Sequence, residues 1–156
     1  MNHDHFMREA IKLAHDASHH SCGGPFGCVV VRKGEIVGRG QNLVTSTNDP
    51  TAHAEITAIR DACARLKNFH LADCTLYTSC APCPMCLSAI YWARIPSIFF
   101  GNSREDAAQI GFDDDYFYRQ LSLPSEQRSI KMQPLLRDEA LASFKDWAAR
   151  PDKLRY

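Results

Sequence analysis

Asp49-Pro50-Thr51-Ala52-His53-Ala54-Glu55 and, further along, Cys80-Ala81-Pro82-Cys83-Pro84-Met85-Cys86 are the two stretches around which this chain is organised. Between them they carry one imidazole, two thiols at Cys83 and Cys86, and a carboxylate two residues from the imidazole. One nitrogen and two sulfur ligands leave the fourth position of a tetrahedral zinc ion open, the arrangement of catalytic rather than structural zinc. Glu55, beside that position, is placed to take up a proton and pass it on. Both stretches also carry helix-start signals. Thr51 is the expected N-cap of a helix reaching about Leu66, and Pro82 the expected opening of a helix from Cys83 to Ala93. His53 and Glu55 stand about 200° apart around an ideal helix, so they meet at one ion only if it lies beyond a helix end. Cys83 and Cys86 share a face of a first turn, whose unpaired N–H groups favour thiolates.

Two other uses of these cysteines compete with an open site. Adding Cys80 to His53, Cys83 and Cys86 would close the zinc shell, but Cys80 lies before the helix-opening Pro82, and a closed shell leaves Glu55 without a role. An iron–sulfur cluster would need a fourth cysteine at a spacing this chain lacks. The open zinc site is therefore the expectation, with one zinc per chain. The other six histidines show no ligand spacing with a carboxylate or cysteine, and Cys22, Cys28, Cys63 and Cys74 read as small apolar residues.

Working outward, residues 3–19 place Phe6, Met7, Ala10, Leu13, Ala14 and Ala17 on one side of an amphipathic helix. Ser21-Cys22-Gly23-Gly24-Pro25 breaks it. Phe26 to Val31 and Ile36 to Gln41 flank the turn Arg32-Lys33-Gly34-Glu35 and predict a β-hairpin. Cys74 to Ser79 is a third strand. Ile98-Phe99-Phe100-Gly101 is a fourth, wholly apolar as if covered on both faces. Ile130 to Leu135 is expected as a fifth strand and Glu139 to Ala149 as the last helix. Strands alternating with helices predict an α/β domain with parallel pairings after the hairpin. No repeat or low-complexity linker interrupts residues 1–156, so one domain is expected, with 150–156 a C-terminal tail.

Composition narrows the partners. Hydrophobic residues at 45% and charged residues at 23% are those of an ordinary globular chain, long enough at 156 residues to bury a core. Eighteen basic and eighteen acidic side chains cancel, which argues against a grip on long nucleic acid. No apolar stretch approaches bilayer length, and Met1-Asn2-His3-Asp4-His5-Phe6 is not a secretory leader. Seven cysteines without such a leader imply a reducing compartment, so cytoplasm is the expected location.

With these segments in hand, the chain resembles the cytidine-deaminase-like superfamily, whose zinc base deaminases carry H-x-E and P-C-x-x-C. Within it, the sequence is similar to the small bacterial guanine deaminases. The resemblance runs through Gly23 to Gly27, Gln41-Asn42, Asn48 to Glu55, Leu76 to Cys80, Pro82 to Cys86, Ala89 to Arg94, Gly111-Phe112-Asp113-Asp114 and the terminal Tyr156. It implies a three-layer α/β/α fold with a mixed five-stranded sheet, zinc on His53, Cys83 and Cys86, and Glu55 as proton shuttle. It further implies a small nucleobase substrate contacted by Asn42, Asp114 and Tyr156 and bordered by Phe26 and Trp92, with Ala54 in the same contact set. The reaction implied is guanine to xanthine and ammonia. Other bases or nucleosides (cytosine, guanosine, an aminated triazine), a tRNA adenosine or a zinc module without turnover are the rivals. The similar enzymes are homodimers whose C-terminal segment crosses to the partner's site. One departure is Ala81, where the family often has Glu; it leaves the zinc ligands untouched but bears on their support.

Overall fold

A computed structural model describes residues 2–156. The chain separates into two compact units, one running up to Tyr118 and the other spanning Arg119–Tyr156.

The first unit contains α1 (His3–His19), β1 (Gly27–Arg32), β2 (Glu35–Gln41), α2 (Val44–Thr47), α3 (Ala54–Leu66), β3 (Cys74–Cys80), α4 (Pro84–Trp92), β4 (Ser97–Asn102) and α5 (Arg104–Gln109); α6 (Asp114–Ser122) begins within it. The sheet order is β2-β1-β3-β4. β1 is antiparallel to both neighbours, and β3 pairs with β4 in parallel. The parallel pairing present after the hairpin is that of β3 with β4. β2, β3 and β4 point the same way, but β1 lies between β2 and β3, so α3 crosses over a strand rather than joining sheet neighbours. This puts the carboxyl ends of three strands, and the start of β1, at one edge.

Alternation along β1 builds the layers. Val29 and Val31 face one side, where Phe6 and Ala10 of α1 and Tyr77 of β3 pack. Cys28 and Val30 face the other, against Ala54, Ala58 and Ala62 of α3 and Ile90 of α4. The result is helix, sheet, helix. The hairpin turns on Lys33 and Gly34, both at positive φ (51° and 84°), the geometry of a two-residue primed turn. A bulge at Val30/Val31 follows. On β2, a Cβ at Gly40 would run into the Ala54 carbonyl and the Ala58 nitrogen; α3 rests directly on that strand because there is no side chain between them.

Two strand expectations are corrected. β4 is an edge rather than a covered strand: Phe99 is 38% and Phe100 54% exposed. Residues 130–135 form no strand, and the sheet has four strands among the described residues. Ile-Lys-Met-Gln alternates as a strand would, but Pro134 has no N–H for a ladder, and the whole segment is exposed.

The second unit holds a 3₁₀ turn (Ser125–Gln127) and α7 (Arg137–Ala149). The Arg128 guanidinium ties the first part by donating to the carbonyls of Leu123 and Leu121 at 3.0 and 3.4 Å. The Lys153 ammonium closes α7 by donating to the Ala148 and Arg150 carbonyls at 2.7 and 2.9 Å. Lys153 thus ties the start of the tail back onto α7.

Candidate active site

The carboxyl-end edge of the sheet is where loops can bring side chains together over a cavity. β2 runs into Asn42, β3 into the loop that carries Cys83, and β4 into α5; Phe26 enters β1 from the same edge. The Asn42 N–H donates to the Phe26 carbonyl at 3.0 Å and the Ala81 N–H to the Asn102 carbonyl at 2.8 Å, so these loops hold one another.

His53 and Cys83 occupy equivalent places. Each is the N-cap of its helix, α3 and α4, with extended backbone (ψ 158° and 167°), and neither side chain caps the helix. The expected N-cap, Thr51, instead forms a turn with Asp49, donating its N–H and hydroxyl to one carboxylate oxygen at 2.8 and 2.7 Å. The freed imidazole and thiol meet, and Cys86 joins them from the first turn of α4. Both sulfurs lie 3.5 Å from His53 Nδ1. Tetrahedral zinc with S and N bonds of about 2.3 and 2.0 Å sets that separation near 3.6 Å.

The chemistry of the donors agrees. Within the pair of sulfurs, the hydrogen bond from Cys86 draws the Cys83 thiol down to about 4, against the effect of burial and with help from His53. Cys86, the donor, moves up, with burial and the nearby Glu55 acting in the same direction. His53 is raised first by its bond to Cys83. An imidazole, a thiolate and a thiol that surrenders its proton to a cation fit zinc. Among the described residues these are the only three His, Cys, Asp or Glu side chains grouped as a metal site. Cys80 stands outside it. Its thiol donates to the Ser103 carbonyl at 3.6 Å, and burial pushes it up to about 11, so it is a neutral wall of the cavity.

Glu55, in the first turn of α3, is 6% exposed and points at the same cavity. Burial raises its pKa, which favours a group able to hold a proton and release it. The buried Thr78 hydroxyl donates to its Oε1 at 3.2 Å and fixes the carboxyl plane. Nothing in the sequence separated Thr78 from the other inward residues of β3. Phe112, which meets Phe26 edge-to-face at 4.7 Å, was likewise visible only as part of a segment.

The cavity holds about 300 Å³, the small end of ligand sites. Phe26, Asn42, His53, Glu55, Cys83 and Asp114 all line it. Asn42 is 4% exposed, and its Oδ1 accepts from the Gly24 and Val44 N–H groups at 3.2 and 3.1 Å. With the oxygen so engaged, the amide NH₂ is the face left for the cavity. Asp114, first residue of α6, is half-buried, and burial raises its pKa, with the charge of Cys83 adding to the effect. Two expected contacts stand elsewhere in this unit. Ala54 is wholly buried beneath His53, and Trp92 ends α4 at 62% exposure; neither lines the cavity. Tyr156 belongs to the second unit.

Residues 1–102 match the family described as the cytidine and deoxycytidylate deaminase zinc-binding region. The chain is 48% identical, over 156 residues and the full length of both proteins, to guanine deaminase of Bacillus subtilis. The solved structure of that guanine deaminase superposes with a TM-score of 0.95, covering 100% of this chain and 99% of the other. A tRNA-specific adenosine deaminase of Streptococcus pyogenes is 44% identical over 101 residues, 65% of this chain and 63% of that one.

Proposed function

The chain belongs to the zinc-binding cytidine and deoxycytidylate deaminase family, and from that premise we propose that it hydrolyses free guanine to xanthine and ammonia. The observation that carries this reading is the full-length likeness to a guanine deaminase, joined to a base-sized cavity lined by Asn42 and Asp114. His53, Cys83 and Cys86 hold the zinc. When bound, the ion supplies a water acidified to a pKa of about 7 as nucleophile.

The protein's own groups do the rest. Asp114 accepts from the N1–H and 2-amino donors of guanine, while the Asn42 amide donates to an acceptor of the base. Phe26 lies against the base. Glu55 takes a proton from the attacking water and delivers it to the ring nitrogen beside C2, leaving C2 tetrahedral. It then carries the remaining hydroxyl proton to the amino group. The C2–N bond breaks, ammonia leaves and the C2 carbonyl of xanthine forms. Thr78 keeps Glu55 aimed for both transfers. Ala54 serves by seating His53 on β2.

Trp92 and Tyr156 find their roles in a homodimer, in which Tyr156 covers the partner's site and Trp92 borders it. Exposed apolar side chains in each unit, Phe99 and Phe100 on β4 and Ile130, Phe144 and Leu154 in the second unit, support such an assembly. No described helix is long and apolar enough to cross a membrane, and the cytoplasm is the proposed location.

The test is release of ammonia from a panel comprising guanine, guanosine, cytosine, adenine and an adenosine-bearing tRNA anticodon stem. Guanine should be turned over at least about ten-fold faster than any other, the difference an unpaired buried polar group makes. Preference for cytosine or the tRNA would overturn the reading.

A further inference from the structure

Tyr118 has no chemical task in the steps above, yet it bonds to the Cys83 loop and shares a helix with Asp114. Its hydroxyl donates to the carbonyl oxygen of Pro82 at 2.8 Å. That oxygen belongs to the peptide unit whose nitrogen is Cys83, so whatever holds it fixes the plane from which the Cys83 side chain departs. In the other direction, Tyr118 is four residues from Asp114, on the same face of α6. The Arg104 guanidinium lies over the Tyr118 ring, 4.4 Å from its centre. Arg104 is itself held at the start of α5, where Ser103 and Asp106 form a reciprocal capping pair at 2.8 and 3.2 Å.

We propose that Tyr118 is a positioning residue that locks the Cys83 loop and the Asp114 end of α6 into one register. The spacing between the metal ligand and the group that holds the base is then set by a single side chain. This rests on the reading of Asp114 as a base contact. General support of the fold is a poor account of the same geometry. α6 buries none of its residues, Tyr118 is only half-buried, and its hydroxyl is spent on the carbonyl directly before Cys83.

Tyr118→Phe keeps the ring beneath Arg104 and removes only the hydroxyl. The variant should retain one zinc per chain and melt within about 4 °C of the parent, the shift expected for one lost hydrogen bond in a chain of this size. Its kcat on guanine should fall roughly ten- to a hundred-fold, the loss seen when support for a metal ligand is removed, with KM changed by less than about three-fold. Zinc should pass to an excess of chelator at least about five-fold faster, a readout independent of any substrate. Combined with Asp114→Ala, the loss in kcat should not add to that of Asp114→Ala alone.

Unchanged kcat, unchanged zinc release or additive losses would each overturn the proposal. So would a fall of more than about 10 °C with loss of zinc, which would mark Tyr118 as support for the fold at large. If the parent turns over no guanine, the reading of the substrate fails by itself, and zinc release by Tyr118→Phe then decides the inference.

Discussion

At the scale of the residue, the site is explained by side chains released from other duties. His53 and Cys83 sit where a helix usually takes a cap from the side chain, and neither gives one. Glu55 is the reverse case, a buried carboxyl retained although burial works against its charge. Glu55→Gln therefore separates metal from proton transfer. The amide preserves shape and can still accept from Thr78, so zinc content should remain at one per chain, while turnover drops by roughly 10²-fold or more. Cys83→Ala should lose zinc and stability together. Metal analysis alongside ammonia release checks both, and a Glu55→Gln enzyme within a few-fold of the parent would remove Glu55 from the mechanism. The His53, Cys83 and Cys86 group was legible because metal chemistry restricts residue type and spacing, and Glu55 drew notice as a carboxylate two residues from that histidine. Thr78 did not, since an inward hydroxyl on a strand looks the same whether or not a carboxylate waits for it. Trp92 was read into the site from resemblance, and within its own chain it stands at the surface instead.

At the scale of the element, legibility followed local rules. The hairpin was readable from the β-branched run up to Val31 and the turn at Lys33-Gly34, and α1 from its apolar stripe. α5 and α6 were missed because they are six and nine residues long, too short for periodicity to stand out, though the Ser103–Asp106 pair was the available start signal. The fifth strand was misread because alternation cannot report whether a partner strand is present. Close packing of α3 on β2 was also hidden, and it gives a paired test. Gly34→Ala meets open space but must hold φ near 84°; it should cost about 1–2 kcal/mol and leave turnover intact. Gly40→Ala meets the backbone of α3. It should cost about 1–3 kcal/mol or more by overpacking and also lower kcat, because the helix it displaces carries His53 and Glu55. Urea denaturation and steady-state rates on both variants would show it. Equal effects on turnover would deny that α3 is registered by Gly40.

At the scale of the whole molecule, the proposed dimer makes the end of the chain a working part. Lys153 closes α7, so removing Leu154 to Tyr156 leaves that closure in place. That truncation should keep zinc and melting behaviour and lose at least about ten-fold in turnover, as loss of a site-closing group would. Mixing it with Glu55→Gln chains should restore part of the activity, since one mixed site would have both an intact shuttle and an intact tail. Full activity of the truncated protein would show that the last three residues are dispensable. The match to the zinc-binding family ends at residue 102, where β4 ends, and that boundary has a consequence of its own. On the proposed reading, the groups that hold the metal and move the proton have been written by then, whereas Phe112, Asp114 and Tyr118 come afterwards. The proposed function thus divides into a reagent and an address, and of the address only Phe26 and Asn42 lie before that boundary. A lineage could redirect the same hydrolysis to another ring by rewriting the address alone, and a hybrid joining this reagent to a relative's later residues would be the way to watch that happen.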